Sequence, residues 1–434
     1  MKILHVFHHA NLLNGVDRTT LTLLRALRRR GEDVVAIVPR VGDVTSALDE
    51  AGVSYQVAEL GCCNGPTPMA ELAYLSRASV RASEIETWLR DWKVDMVHLN
   101  TGHLLDAAMA AARVGVPAIW HIHAPFEVDL ARYERFMAPE GYAWLLDGLG
   151  SRVIGVSDDV RASLVPHLPA QKVATLFNGV DVADLDARAA EPASGLRAGL
   201  GLKDDVPVVL GVGRISVQKD FATFARVARE VIAQHPTVAF AIAGPAEDAG
   251  LHAGLLEQAR DPALKGRLFV LGPRSDVPAL LAQCDLFLST ALFEGHPLTS
   301  LEAMSQRVPV VSMDCVGLRE CIRSGTDGLL VPLGDETACA RAVMNVLTDA
   351  ALASRIGEAG RQTVIARFSA DAYAQGFLDI AHQAVADFVP GRNAPAASFA
   401  LGLLNEIGEA HRRLIRVTQP PQGLWARARS RLFR

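Results

Sequence analysis

The residues best equipped for chemistry are Glu294 and Glu302, separated by seven residues in the segment Phe293-Glu294-Gly295-His296-Pro297-Leu298-Thr299-Ser300-Leu301-Glu302-Ala303-Met304. A carboxylate accepts two hydrogen bonds side by side, which suits Glu302 to the vicinal hydroxyls of a ribose and Glu294 to the hydroxyls of a sugar. The segment follows an apolar run and reads as a loop entering a helix, with Pro297 at the first helical position. The free amides of Leu298 and Thr299 then stand at a helix N-terminus, where backbone donors and the helix dipole favour a phosphate. Hydroxyl-binding acids flanking a phosphate site assign a nucleotide sugar to this loop.

Two cations follow another apolar run, Arg214 in Gly211-Val212-Gly213-Arg214 and Lys219 five residues on, in a chain with only six lysines. In the N-terminal half, Pro117-Ala118-Ile119-Trp120-His121-Ile122-His123 is an apolar strand ending in a histidine, and His121 shares the strand face of His123. Seven of the 13 histidines, at positions 5, 8, 9, 98, 103, 121 and 123, fall near expected strand ends, which fits a polar cleft. After the first apolar run comes Asn14-Gly15-Val16-Asp17-Arg18, where Gly15 permits close approach of backbone to a ligand.

Elements able to hold these residues together alternate along the chain. Residues 2–7, 21–30 and 33–38 read as strand, helix and strand, and further apolar runs lie at 95–99, 118–122 and 152–156. A second series occupies 206–211, 238–243, 268–271, 286–289, 308–312 and 329–331. Continuous apolar strands between helices indicate parallel sheets covered on both faces. The expected class is therefore α/β, with two doubly wound Rossmann-like domains at 1–183 and 204–370 joined by a linker at 184–203. Ligands of such sheets bind outside the carboxyl ends of the strands, so two domains facing each other would place a site in the cleft between them. A helix at 371–390 is expected to cross back to the N-terminal domain, and residues 391–434 to form a basic helical tail.

The Glu-x7-Glu segment, with Pro309-Val310-Val311 downstream, resembles the donor-site signature of glycosyltransferase family 4, retaining enzymes of the GT-B fold. Gly213-Arg214 with Lys219 is similar to that family's Gly-Arg…Lys element. Further matches are Val156-Ser157, Asn178-Gly179-Val180-Asp181, and Gly317-Leu318-Arg319-Glu320 with Gly325, Gly328 and Pro332, in the family's order over roughly residues 1–370.

The resemblance implies transfer of a sugar from a UDP- or GDP-sugar to a glycan, glycolipid or other hydroxyl acceptor, of the kind used in bacterial polysaccharide or cell-envelope glycoconjugate synthesis. In that reading Arg214, Lys219 and the helix N-terminus at Leu298 and Thr299 hold the diphosphate, with Gly213, Gly295 and Pro297 in the binding loops. Glu302 takes the ribose, Glu294 and His123 position the sugar, and Gly15 lies near diphosphate and acceptor. Retention then proceeds with departure and attack on the same face, without an obligatory metal or other cofactor. The family usually shows two adjacent glycines after the first strand; here Asn14 replaces the first, which bears on loop geometry and acceptor fit. Residues 62–68 and 126–141 are the candidates for acceptor contact.

Other readings fit less well. A hydrolase metal site built from the histidines with Asp17, Glu127 or Asp129 lacks His-Glu-x-x-His or comparable spacing. Asp184-Leu185-Asp186 imitates a metal-binding Asp-x-Asp but sits in the linker and reads as a solvated turn. Gly211-Val212-Gly213 lacks the third glycine of a dinucleotide loop, Ser216 standing in its place. An epimerase or sugar phosphorylase on the same architecture differs in acceptor, and a non-catalytic nucleotide-binding chain would not need Arg214, Lys219, Glu294 and Glu302 together.

Charge separates the body from the end. The net charge of −5 divides into −12 over residues 1–409 and +7 over the remainder, where seven arginines meet no acid. Such a body is a poor nucleic-acid partner, while Leu424, Trp425, Ala428 and Leu432 among Arg427, Arg429 and Arg431 make a short amphipathic surface suited to an anionic membrane. Arg25, Arg28, Arg29 and Arg30 offer a second basic patch. No run reaches the roughly 18 apolar residues needed to span a bilayer, and residues 1–7 are too short for a signal-peptide core. The six cysteines show neither disulfide framework nor metal spacing. The expected location is cytoplasmic, peripheral on the inner face of the cell membrane.

Overall fold

A computed structural model describes residues 1–60, 68–128, 139–190 and 195–390, with scattered positions between 398 and 413. Most of both candidate acceptor loops, residues 62–67 and 129–138, lies outside the described residues, as do Asp129 and the Arg-rich end.

The first sheet contains β1 (Lys2–Val6), β2 (Asp33–Val38), β3 (Ser54–Val57), β4 (Met96–Leu99), β5 (Ala118–Ile122), β6 (Arg152–Gly155) and β7 (Val173–Thr175), ordered β3-β2-β1-β4-β5-β6-β7. The second contains β8 (Val208–Val212), β9 (Ala239–Ala243), β10 (Leu268–Gly272), β11 (Leu286–Ser289), β12 (Val310–Asp314) and β13 (Leu329–Pro332), ordered β10-β9-β8-β11-β12-β13. Every named pairing is parallel. Central strands are buried on both faces, so they read as unbroken apolar runs. The edge strands β3 and β7 gave no such run, because β3 is mostly exposed and β7 has only three residues.

Strand order reverses between β1 and β4 in one sheet and between β8 and β11 in the other. A ligand crevice opens at such points. The loops that follow these four strands carry Gly15, Asn100, Lys219 and Glu294.

The segment expected as the interdomain linker contains two helices. Asp181 accepts from the amide of Asp184 at 3.2 Å and caps the helix Val182–Ala189, and a short helix, Leu196–Gly199, follows. Asp184 and Asp186 therefore sit on a helix rather than in a turn, and Asp186 pairs with Arg361 at 2.6 Å. A capping acid three residues before a helical amide outweighs the weak apolar periodicity there.

The chain returns where it left. The amide of Val180 donates to the carbonyl of Phe368, and that of Ala370 to the carbonyl of Val180, both at 2.9 Å. Helix Ala370–Ala386 then buries Tyr373, Phe377, Leu378 and Ala381 against Ile3, Phe7, Leu24 and Ile119 of the N-terminal domain. Each large apolar side chain so buried is worth roughly 1.5–3 kcal/mol.

The expected basic patch is not free surface charge. Arg28 donates to the carbonyls of Ala51 and Gly52, Arg29 pairs with Asp181 at 2.9 Å, and Arg30 donates to Gln375 at 2.9 Å. Arg25 lies 3.8 Å from Glu50. Acids and carbonyls of neighbouring elements absorb these arginines, which a linear count of charge does not reveal. Among the described residues no helix is long and apolar enough to cross a membrane.

Candidate active site

The C-terminal domain places its cations by backbone geometry. After β8 a turn at Val217–Lys219 leads to Asp220, which has a left-handed backbone (φ 43°) and starts the helix Phe221–Gln234. Aspartate tolerates that conformation by bonding locally, here through an acceptor contact from the Thr223 hydroxyl at 2.5 Å. The hydroxyl of Thr290, following β11, donates to the carbonyl of Asp220 at 2.9 Å, which ties the Lys219 turn to the Glu294 loop. Lys219 is ion-paired with Glu294, and its side chain lies across Gly213, where a Cβ would crowd it. Gln218 donates to the other carboxylate oxygen of Glu294 at 3.2 Å. Arg214 pairs with Glu247 at 2.7 Å.

Pro297 is the residue before the first helical turn, not in it; the helix is Leu298–Ser305. The shift of one residue leaves the amides of Leu298 and Thr299 at the N-terminus. Glu302 lies on this helix, 6% exposed, and pairs at 2.8 Å with Arg18, which crosses from the N-terminal domain. Burial pushes its carboxyl above the usual range, opposed by Arg18 and then Arg188. Gly295 abuts the N-terminal domain so closely that a Cβ would stand 2.0 Å from the carbonyl oxygen of His123.

Asn14 caps the helix Gly15–Arg29, its side chain accepting from the amide of Val16 at 2.9 Å with φ −84°. That conformation is open to any residue, so the turn does not require a glycine there. Gly15 faces Leu298 across the cleft, a Cβ there standing 3.6 Å from its Cδ1. Asp17 is buried and accepts from the amides of His9 and Asn11, which shapes the loop after β1; burial raises its carboxyl to about 6.

The histidines do not all face the cleft. His8, His9, His103 and His123 line it, whereas His5, His98 and His121 are fully buried within β1, β4 and β5. His5 Nδ1 lies 3.0 Å from His98 Nδ1, and His98 Nε2 lies 3.1 Å from His121 Nδ1. Adjacent strands bring these mid-strand residues into one column, a relation that sequence position alone hides. His121 thus stacks under His123, with ring centroids 4.6 Å apart, and does not line the cleft.

His123 is held by Asn100, a residue the sequence reading missed. Its Nε2 lies 3.1 Å from Asn100 Oδ1, while Asn100 Nδ2 donates to the carbonyl of Val16 at 3.1 Å. The amide orientation makes Nε2 the protonated nitrogen and leaves Nδ1 as an acceptor. Burial lowers the His123 pKa to about 3, so the ring is neutral near pH 7. A polar residue directly after an apolar run was the available signal for Asn100.

Two cavities occupy the cleft. One, of about 660 Å³, is lined by Glu302 with Gly244, Pro245, Arg274 and Ser275. The other, of about 910 Å³, is lined by Glu294, Lys219, His123 and Gly15. Leu13, Arg18, Gly213, Arg214, Leu298 and Thr299 line both and form the neck between them. The neck combines two guanidinium groups with a helix N-terminus, an arrangement suited to an anion. Among the described residues no group of three or more His, Cys, Asp or Glu is arranged to hold a metal ion. Cys284, Cys315, Cys321 and Cys339 are free, buried thiols.

Residues 13–184 match the family model described as Glycosyltransferase Family 4, and residues 206–349 the one described as Glycosyl transferases group 1. The chain is a glycosyltransferase of the group 1/family 4 type. The transferase is 28% identical over 365 residues to the Escherichia coli UDP-Gal:alpha-D-GlcNAc-diphosphoundecaprenol alpha-1,3-galactosyltransferase, covering 81% of this chain and 89% of that protein. It is 26% identical over 400 residues to the Streptomyces fradiae 2-deoxystreptamine N-acetyl-D-glucosaminyltransferase, covering 86% and 93%. Its fold matches that of Anabaena HepE, solved in complex with UDP and glucose, with a TM-score of 0.72 at 20% identity over 88% of this chain and 99% of that one. The two facing parallel sheets are those of the GT-B fold.

Proposed function

We propose that the transferase is a retaining enzyme that moves a sugar from a UDP- or GDP-sugar to a hydroxyl of a glycan or lipid-linked acceptor in bacterial polysaccharide or envelope glycoconjugate synthesis. The observation that carries this reading is how the cleft divides its residues. Glu302 lines one cavity, Glu294 and His123 line the other, and Gly213, Arg214, Leu298 and Thr299 line the neck. A nucleotide sugar has the same order: ribose, diphosphate, sugar.

As the bond from the anomeric carbon to the diphosphate oxygen breaks, negative charge builds on the leaving nucleoside diphosphate. Arg214 and Lys219 stabilise that charge in the transition state, which raises the rate of the chemical step. The acceptor oxygen bonds to the anomeric carbon on the face the diphosphate leaves, and the acceptor proton goes to the departing phosphate oxygen. A double displacement would need a free carboxylate nucleophile. Among the described residues, the acids lining the sugar-side cavity are each engaged: Glu247 by Arg214, Glu294 by Lys219, and Asp248 by the amides of Gly250 and Leu251. A neutral His123 orients sugar hydroxyls without competing for the phosphate. With the charge met by side chains and a helix N-terminus, turnover is expected to persist in EDTA.

The E. coli relative is named as a galactosyltransferase for alpha-D-GlcNAc-diphosphoundecaprenol and the Streptomyces relative as a 2-deoxystreptamine N-acetyl-D-glucosaminyltransferase. The basic tail supports a lipid-linked acceptor reached from the cytoplasmic face of an anionic membrane. Deleting residues 418–434 should abolish co-sedimentation with anionic vesicles; unchanged binding would leave the tail a solvated end with no part in membrane contact.

The transfer reading is tested by incubating the enzyme with UDP- and GDP-sugars, with soluble and lipid-linked acceptors. Free nucleoside diphosphate with a new glycoside is the expected product. An isomerised donor without release would identify an epimerase instead.

A further inference from the structure

Arg18 is the one residue of the neck that reaches an acid of the opposite domain. It rises from the first turn of helix Gly15–Arg29 and lines both cavities, while its Nη2 lies 2.8 Å from Glu302 Oε1 on the C-terminal domain. The pair is only half made. Arg18 Nε and Glu302 Oε2 are both buried without a hydrogen-bond partner, although a guanidinium and a carboxylate can join through two parallel bonds. A buried acid with one satisfied oxygen, beside a cation with an idle donor, is an arrangement that a ligand can complete.

The ribose assigned to Glu302 offers two hydroxyl donors side by side, enough to satisfy both carboxylate oxygens. Once they do, Arg18 loses its need for Glu302 and stands at the neck with Arg214, beside the helix N-terminus at Leu298 and Thr299. A diphosphate there offers a guanidinium more charge and more acceptor oxygens than a single carboxylate.

We propose that Arg18 is a donor-binding residue supplied by the acceptor-side domain: it neutralises Glu302 in the unliganded cleft and passes to the nucleotide's diphosphate when ribose hydroxyls take Glu302. The proposal rests on the nucleotide-sugar reading of the neck. It makes Arg214 and Arg18 a clamp with one jaw from each domain, in which Arg18 turns to the diphosphate when a nucleoside occupies the neighbouring cavity. Because the leaving diphosphate gains charge during the reaction, the contact also strengthens in the transition state.

The test is calorimetric titration of the full chain with UDP and GDP, and NMR titration with uridine and guanosine, for the parent, Arg18→Ala and Arg18→Lys. For the diphosphate that the parent binds, Arg18→Ala should weaken binding about tenfold or more, or about 1.4 kcal/mol. Affinity for the matching nucleoside should hold or rise, because Glu302 is released from its pair. Arg18→Lys should recover part of the diphosphate affinity, which shows that a charge at this position rather than a disturbed fold sets the loss. Diphosphate binding as tight as the parent's in Arg18→Ala would overturn the proposal and leave Arg18 a structural tie between domains. A parent that binds neither UDP nor GDP would instead overturn the nucleotide-sugar reading itself, and the two failures are told apart before any variant is made.

Discussion

Where the C-terminal domain meets the cleft with ion pairs, Lys219 with Glu294 and Arg214 with Glu247, the N-terminal domain meets it with imidazoles and continues them inward as the column of His5, His98 and His121. Both domains use the carboxyl ends of parallel strands, so the difference lies in what each position tolerates. A rim cation that meets an acid, as Lys219 and Arg214 do, can stay charged, whereas the rim imidazole of His123 is desolvated without one and is neutral. A mid-strand residue buried on both sides must be neutral, because desolvation disfavours its charged form. The C-terminal domain is thereby fitted to a charged phosphate and the N-terminal rim to neutral hydroxyls.

The largest consequence is in acid. Burial lowers His5 and His123 to about 3 and holds His98 and His121 well below the usual value, so an unfolded chain takes up these protons first as pH falls. Stability is therefore full above about pH 6.5 and is lost as pH drops toward 3, at up to roughly 1.4 kcal/mol per ring per pH unit. Asp17, raised to about 6, works in the opposite direction, but as one group against four. In the C-terminal domain His296 is the described histidine with a comparable shift. Thermal melts with domain-resolved hydrogen exchange should show the N-terminal domain loosening first, by several kcal/mol between pH 6.5 and 5. Equal acid sensitivity in both domains would break the contrast.

Loss of the ionic side of the cleft comes next. Lys219→Ala or Glu294→Ala should each cut kcat/KM by about a hundredfold, near 3 kcal/mol, and the double variant should fall short of the product because the two residues touch. A change under threefold in either would refute their assignment. Removing the support of a neutral ring costs less: Asn100→Ala should lower kcat about tenfold with little change in nucleoside diphosphate affinity, since it frees the His123 ring and the Val16 carbonyl but no residue that lines the neck. A loss in diphosphate affinity instead would place Asn100 on the donor's phosphates.

The smallest effect concerns the contact between domains away from the neck, where Glu320 accepts from the amides of Asp158 and Asp159 at 2.6 and 2.8 Å. Burial raises its carboxyl, and a glutamine in its place keeps one of the two acceptor oxygens while setting a donor against the other amide. Glu320→Gln should shift the unfolding free energy by under about 1 kcal/mol, read as a small change in Tm. A larger drop would make this contact, rather than the cleft, the main tie between domains.

The same contrast explains what the amino-acid sequence disclosed. The C-terminal site was legible because Glu294, the helix N-terminus and Glu302 are neighbours along one loop and helix, and Arg214 and Lys219 share another. The N-terminal site is assembled from separate strand ends, so Asn100 and Arg18 acquire meaning only when β4 and helix Gly15–Arg29 come together. His98 and His123 look alike in an apolar run, yet one is interior and the other at the rim. The buried strands announced themselves by composition, whereas the edges β3 and β7 and the capped helix Val182–Ala189 did not.

The central claim, that the cleft holds a nucleotide sugar across its neck and passes the sugar on with retention, is tested most directly by following the anomeric proton by NMR during turnover with an α-linked donor. The account predicts one equivalent of nucleoside diphosphate for each new α-glycoside. A β-glycoside, or a donor changed in configuration with no diphosphate released, would contradict it.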